Sequence, residues 1–390
     1  MKKLVATILA LSMALSLAAC GGNSPASTAS TASTAGSGST AATEAGETTY
    51  GLTPFAERQT LRVGYFAGSA HAIPFYIAEQ KGIFDELNID IEYEPYTNGP
   101  AMMEASSSWD VATAGAAGDL VGMLGYDLIC IGSTDYETNM GLFVRADSPL
   151  ADKKAEDWKG TTWLYPSGTN AQMVLGGELD KMGLTFDDIE SVNMDIASAL
   201  TAFKGGQGDG IAVWNAIATS AEDAGFVRVD DAGSLGITVF NGFMATPEAL
   251  AERRDLVKTA WEVYYLTWQW CNESDENMAE AVAYYLESCE NEGIACDEHI
   301  AEVVMSYCAI PTLSEAVSIM TETSPDDQGL YTSRDLLQAE KDLLVTMDFL
   351  ISIGKYTSDD RNTILDNQMV DNSIATECLA DLDALGVQYN

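Results

Sequence analysis

Apolar residues along this chain gather into short runs and amphipathic stretches that take turns. Residues 61–66, Leu-Arg-Val-Gly-Tyr-Phe, read as a buried strand. Pro74 suits the first helical position and Gly82 a helix stop, so a helix is predicted between them. Residues 89–93 alternate with period two and read as a strand. A short helix follows at 101–107, a strand at 111–114, a helix at 119–124 stopped by Gly125, and a strand at 128–131. The pattern restarts near Trp163, with strands at 162–165, 191–194 and 210–214 and helices at 170–182 and 197–203. Corresponding pieces look alike: Lys81-Gly82-Ile83-Phe84 beside Lys181-Met182-Gly183-Leu184, and Trp109-Asp110-Val111-Ala112 beside Gly208-Asp209-Gly210-Ile211-Ala212. Such alternation predicts an α/β chain of two similar halves, each a mainly parallel sheet covered on both faces. Residues 236–240 read as a strand returning to the first half.

Beyond that strand the period becomes helical. Leu250, Val257, Trp261, Tyr264 and Trp268 share one helix face, and Leu336, Leu337, Leu343, Leu344, Met347, Leu350 and Ile351 mark another that stops at Gly354. These stripes read as packing surfaces, so the C-terminal third is expected to support the rest.

The first twenty residues say where the chain works. Lys2 and Lys3 precede an apolar stretch at 4–19 that is too short for a permanent span and reads as an export signal. It ends in Leu17-Ala18-Ala19-Cys20, which resembles the bacterial lipobox; the resemblance implies lipidation of Cys20 after cleavage. Residues 21–55 form a tether whose first part holds little but Gly, Ser, Thr and Ala, which cannot offset the entropy of ordering. Its root-mean-square reach is about 30 Å.

Composition sharpens this picture. The 390 residues, 47% of them apolar, supply enough material for two domains with a sizeable core. Against 19 Lys and Arg stand 59 Asp and Glu, a net charge of -40. That field repels phosphate backbones and anionic lipid, which excludes nucleic acid as a partner and leaves lipid on Cys20 as the only membrane attachment. It fits a monomeric extracellular body. Six cysteines follow the anchor: Cys130, Cys271, Cys289, Cys296, Cys308 and Cys378. Export permits disulfides among them, but their pairing is not assignable from sequence. No Cys-x-x-Cys occurs, so no metal site is expected, and Cys130 reads as a core thiol.

In open parallel sheets, ligands bind beyond the carboxyl ends of strands, where helix N-termini converge. Four such loops occur here: Gly68, Ser69 and His71 after the first strand, Gly115 and Ala116 after the third, Ser167, Gly168, Thr169 and Asn170 in the second half, and Trp214 with Asn215 after its third strand. Small residues there let a ligand approach the backbone. The Ser167-Gly168-Thr169 turn would offer several N–H donors to an oxyanion, and Trp214 would cap an apolar or cationic group. No phosphate loop, dinucleotide fingerprint or Gly-x-Ser-x-Gly elbow is present, and two histidines make triads and metal clusters improbable. Neither a catalytic residue nor a cofactor is expected.

At these residues the chain resembles the nitrate/sulfonate/taurine-type solute-binding proteins of ABC importers. The resemblance runs in order through Val63-Gly64-Tyr65, His71 to Phe84, Trp109-Asp110-Val111-Ala112, Gly141-Leu142-Phe143-Val144-Arg145, Asp157-Trp158-Lys159-Gly160 with Ser167-Gly168-Thr169, and Gly208 to Trp214. It implies a two-lobed, type II periplasmic-binding-protein fold closing over a small molecule, a sulfonate, nitrate or similar, which an ABC permease then receives. Lobe 1 would hold residues 60–146 and 242–390 with the helical C-terminal region, and lobe 2 residues 149–236. The crossings would fall near Ala146 to Pro149 and Ile237 to Asn241. Asn170 and the Asn215-Ala216 pair depart from the family pattern, which bears on the ligand. With no Arg or Lys in the four loops, any anion would rest on neutral donors and helix dipoles, and a neutral or zwitterionic compound touching Trp214 is an open alternative. Two further readings stay open: an exported sensor without a transporter, and an enzyme like the pyrimidine synthases of thiamine biosynthesis.

Overall fold

A computed structural model describes residues 48–386. The export signal, Cys20 and the tether as far as residue 47 lie outside the described residues. Ten strands build two sheets: β1 (Gln59–Phe66), β2 (Ile89–Tyr96), β3 (Val111–Gly115), β4 (Ile129–Glu137), β5 (Gly141–Val144), β6 (Thr162–Tyr165), β7 (Glu190–Asn193), β8 (Gly210–Val213), β9 (Val227–Asp231) and β10 (Val239–Ala245). Their orders are β2-β1-β3-β10-β4 and β7-β6-β8-β5-β9, so the molecule is two-lobed and α/β with a helical C-terminal part.

The two sheets share one design. In the first, β1 runs parallel to β2 and β3, while β10 lies antiparallel to β3 and β4. In the second, β6 runs parallel to β7 and β8, while β5 lies antiparallel to β8 and β9. Each antiparallel member is the strand that has just crossed from the other lobe, which is why it runs against its neighbours. The sheets are therefore mixed rather than mainly parallel.

This moves the first crossing. Residues 141–144, expected in lobe 1, pair with β8 and β9, so the chain changes lobes between Glu137 and Gly141 and not near Ala146 to Pro149. The return strand starts at Val239 and runs to Ala245, and β9 has no counterpart in the sequence reading. The two strands of the missed pair are neighbours in the sheet but come from distant parts of the chain, so local pattern does not join them.

Local chemistry explains the main elements. Pro74 sits in the first turn of the helix Ile73–Gln80. Asn98 accepts the N–H of Ala101 at 3.0 Å and so caps the helix Gly99–Glu104. Asp110 has its carboxylate almost wholly buried between Arg62 and Arg253, 2.8 and 2.7 Å away, and accepts the Arg62 N–H as well, tying β1 to the start of β3.

A single apolar cluster unites the first sheet with the C-terminal helices as far as Leu382. Trp261 and Tyr265 from the helix Arg254–Asn272 reach the sheet, Trp261 Nε1 donating to Ile131 O at 3.2 Å. Residues 369–371 cover the open edge of β4, with Cys130 N–H bonded to Met369 O and Asp371 N–H to Cys130 O, each at 2.9 Å. Lobe 2 has two smaller clusters, one around Trp158, Trp163 and Leu175, the other around Phe203, Ile211 and Ala218. Among the described residues no helix is long and apolar enough to cross a membrane.

Candidate ligand-binding cleft

The carboxyl ends of the strands in both sheets face each other across a narrow cleft. Three of the four predicted loops bring residues to it. Gly115 ends β3 and precedes the helix Ala116–Tyr126; Thr169 and Asn170 open the helix Asn170–Lys181; Trp214 opens the helix Asn215–Asp223. With Phe66, Pro100, Ala117, Gly118, Glu137, Met140 and Asn241 they line a cavity of about 30 Å³. One water occupies about 10 to 15 Å³ on this measure, so the closed cleft has room for about two.

Within the cleft the lobes touch through Asn170. Its side-chain oxygen accepts the Ala117 N–H at 3.2 Å, so an amide from lobe 2 caps a helix N-terminus of lobe 1. A Cβ on Gly115 would lie 2.4 Å from Asn170 Nδ2, and one on Gly118 would lie 2.9 Å from the backbone of Gly99. Glycine at these two positions is what lets the walls approach.

The predicted oxyanion turn is already filled. Ser167 N–H donates to Asn193 Oδ1 at 2.9 Å and Gly168 N–H to Gln172 Oε1 at 2.8 Å, while the Thr169 hydroxyl donates to Pro166 O at 2.7 Å. Neither Ser167 nor Gly168 lines the cavity. Lys355, beyond the last C-terminal stripe, comes to this turn and lies 3.5 Å from Gly168 O. It too stays out of the lining.

The first loop divides. Phe66 reaches the cavity, but Gly68 is bound to the helical region, its N–H donating to Glu292 Oε2 at 2.6 Å and its carbonyl accepting from Tyr285 at 2.8 Å. Ser69 faces a separate hollow beside Tyr65, Tyr76 and Tyr93. His71 is buried with its ring 5.0 Å from Phe66, and burial holds its imidazole neutral, down to about 3. Ala116 and Asn215 sit in the first turns of their helices without lining the cavity, although Asn215 has φ of +48°, a strained value for a non-glycine residue.

Sequence reading missed the cleft floor. Glu137 ends β4, beside the misplaced first crossing, and Asn241 lies in β10, beside the second. Glu137 is 5% exposed, its Oε1 has no hydrogen-bond partner, and burial pushes the carboxyl up to about 8. Asp135, two residues earlier, is pushed to about 7 by the same cause, while accepting from Ala309 N–H at 2.7 Å and Asn241 Nδ2 at 3.4 Å. Nearby, Trp214 Nε1, Asn215 Nδ2, Asn139 Oδ1 and both His71 nitrogens are buried without partners. Buried polar atoms are ordinarily satisfied, so this group makes the cleft the candidate site. Among the described residues no group of three His, Cys, Asp or Glu is disposed to hold a metal ion.

Comparison with known proteins bears on the family and the fold. The family model described as NMT1/THI5 like matches residues 69–277. A Brucella abortus protein named as a binding protein is 26% identical over 210 residues, which are 52% of this chain and 64% of that relative. The match thus spans less than two thirds of the relative's length. Among solved structures, the nitrate-binding protein of Synechocystis has a TM-score of 0.62 at 13% identity, covering 85% of this chain and 90% of its own. The alkanesulfonate-binding protein of Xanthomonas axonopodis, solved with MOPS, scores 0.59 at 19% identity over 77% of this chain and 95% of its own. A desulfurization enzyme has the same fold, with a TM-score of 0.55 at 14% identity, covering 83% of this chain and 99% of its own.

Proposed function

Because the chain belongs to the NMT1/THI5-like family, we propose that it is an extracytoplasmic solute-binding protein. It captures a small molecule between its lobes and delivers it to an ABC permease. Cys20 carries the lipid that holds it to the outer face of the cell membrane, and the monomer is the working form. The observation that carries this reading is the cleft itself: loops from both lobes meet around buried polar atoms that lack partners.

The mechanism is binding coupled to closure. A cavity of about 30 Å³ cannot admit a solute from outside, so entry requires the lobes to part. A ligand that touches both walls is bound fully only when they close again, and it shifts the population by that difference in affinity. The permease then reads the closed shape. The contacts are those expected from sequence at Gly115, Thr169, Asn170 and Trp214, joined by Phe66, Glu137 and Asn241.

Small-angle scattering tests this. Ligand-free protein should show a larger mean radius of gyration than protein saturated with a ligand confirmed by calorimetry. An unchanged radius at saturation would refute closure as the mechanism. The enzyme reading is supported by fold likeness alone, since neither histidine nor cysteine lines the cavity.

A further inference from the structure

We infer that the cleft holds the amine or amidine end of a small organic cation, with Glu137 as its counter-ion and the rings of Phe66 and Trp214 against its apolar body. The inference rests on the solute-binding reading and names the ligand class for the same site.

Three independent observations lead there. First, the backbone donors that two helix N-termini would offer an anion are occupied by the chain's own oxygens. Ser167 and Gly168 N–H are bonded to Asn193 and Gln172, and Ala117 N–H, at the other helix N-terminus, is bonded to Asn170. An anion entering would have to displace side chains from both helix ends.

Second, the ionisable group that the cavity wall offers is an acid, able to give up its proton to face a cation. Glu137 is the only ionisable side chain in the lining, it forms no ion pair, and its Oε1 has no partner. Behind it stand Asp135 on the same strand and the Asn241 amide on β10; across the cleft Thr169, Asn170 and Trp214 bring no charge. Lys355 is spent on Gly168 O outside the lining. A buried carboxylate without a counter-ion is costly, and a cation delivered to Oε1 removes that cost while supplying the missing donor.

Third, the remaining walls suit a cation with an organic body. Phe66 and Trp214 stand edge to face with centroids 6.1 Å apart, with Met140 and Pro100 in the same lining. Aromatic faces attract ammonium and amidinium groups, most strongly where water is excluded. Trp214 Nε1, buried and unpartnered, is left for one acceptor elsewhere on the ligand.

Titration calorimetry on the purified protein decides the matter, with benzylamine, benzamidine and methylamine set against nitrate and methanesulfonate. At least one probe of the first set should bind with Kd below about 1 mM, with neither anion binding, and Glu137→Gln should weaken that probe at least tenfold. At pH 7.5 the binding should release protons to the buffer, because a cation lowers the raised carboxyl. Binding of nitrate or methanesulfonate that survives Glu137→Gln overturns the ligand class but leaves the cleft reading intact. So does amine binding that ignores Glu137→Gln and is lost in Trp214→Ala. Failure of all three cationic probes also overturns the inference. Amine binding indifferent to both substitutions removes the cleft reading as well.

Discussion

Both sheets carry four strands that run one way and a fifth that enters antiparallel from the other lobe, yet they rest on different foundations. The sheet of lobe 1 shares one continuous core with the helices as far as Leu382, and every cysteine after the anchor lies in that half. The sheet of lobe 2 is thin, with a separate small cluster on each face. The chemistry at the strand ends differs in the same sense. In lobe 2 the Ser167 turn has its backbone donors already used, while the floor that lobe 1 brings keeps an acceptor, Glu137 Oε1, that is not. A heavy lobe with an unsatisfied floor and a light lobe with a finished rim is the division expected of a fixed half and a moving half.

The largest effect should come from the cores. Trp261 is fully buried, bonded to Ile131 O and packed 4.4 Å from Tyr265. Its replacement by Ala should cost about 3 to 5 kcal/mol. Because the cluster is continuous, denaturant unfolding should shift for the whole molecule. Trp163, stacked on Trp158 at 4.7 Å, is equally buried in lobe 2. Trp163→Ala should cost a similar amount, but hydrogen exchange should rise in residues 141–231 and leave β1 to β4 protected. Equal loss of protection in both lobes would show that they unfold as one unit and would break the comparison.

Acid–base behaviour gives the next contrast. Burial raises Asp135 to about 7 and Glu137 to about 8 in lobe 1. The native state therefore keeps protons that the unfolded chain releases from about pH 4 upward, so stability falls as pH rises toward about 8. His71 acts in the opposite direction. Its lowered value means that the unfolded chain takes up a proton below about pH 6.5 and the fold loses stability in acid. The melting temperature of ligand-free protein should fall by several degrees between pH 6 and 8.5, and Glu137→Gln should flatten the slope. Glu178 in lobe 2, also raised to about 7 by burial, has Lys153 at 3.6 Å. Glu178→Gln should therefore change the slope less.

These residues also show what the sequence could and could not disclose. Strand–helix alternation is a local signal, so β1, β2, β3, β6, β7 and β8 were all legible, as were Gly115, Thr169, Asn170 and Trp214 at their ends. Strands β5 and β9 pair with each other from distant parts of the sequence, so the first crossing was read late. That error hid Glu137, whose neighbours Asp135 and Tyr136 look like any alternating strand. The filling of the Ser167 turn by Asn193 and Gln172 depends on side-chain direction, which spacing does not encode. Lys355 comes to Gly168 from 187 residues away, and no pattern along the chain links the two.

The smallest expected effect is the sharpest test of how the halves meet. Asn170 belongs to the light lobe, but its amide completes a helix of the heavy one through the Ala117 N–H. One such hydrogen bond contributes about 0.5 to 1.5 kcal/mol, enough to change an open-to-closed ratio about three- to tenfold. Asn170→Ala should therefore enlarge the radius of gyration of ligand-free protein while scarcely moving its melting temperature, since neither core is touched. Gly115→Ala should act in the same direction from the other wall, because its new Cβ would meet Asn170 Nδ2 at 2.4 Å. Combining the two should add little, as both remove one contact. If the double substitution instead opened the molecule by the sum of the single effects, Gly115 would act on closure by a route other than the Asn170 amide, and that amide would not be what joins rim to floor within the cleft.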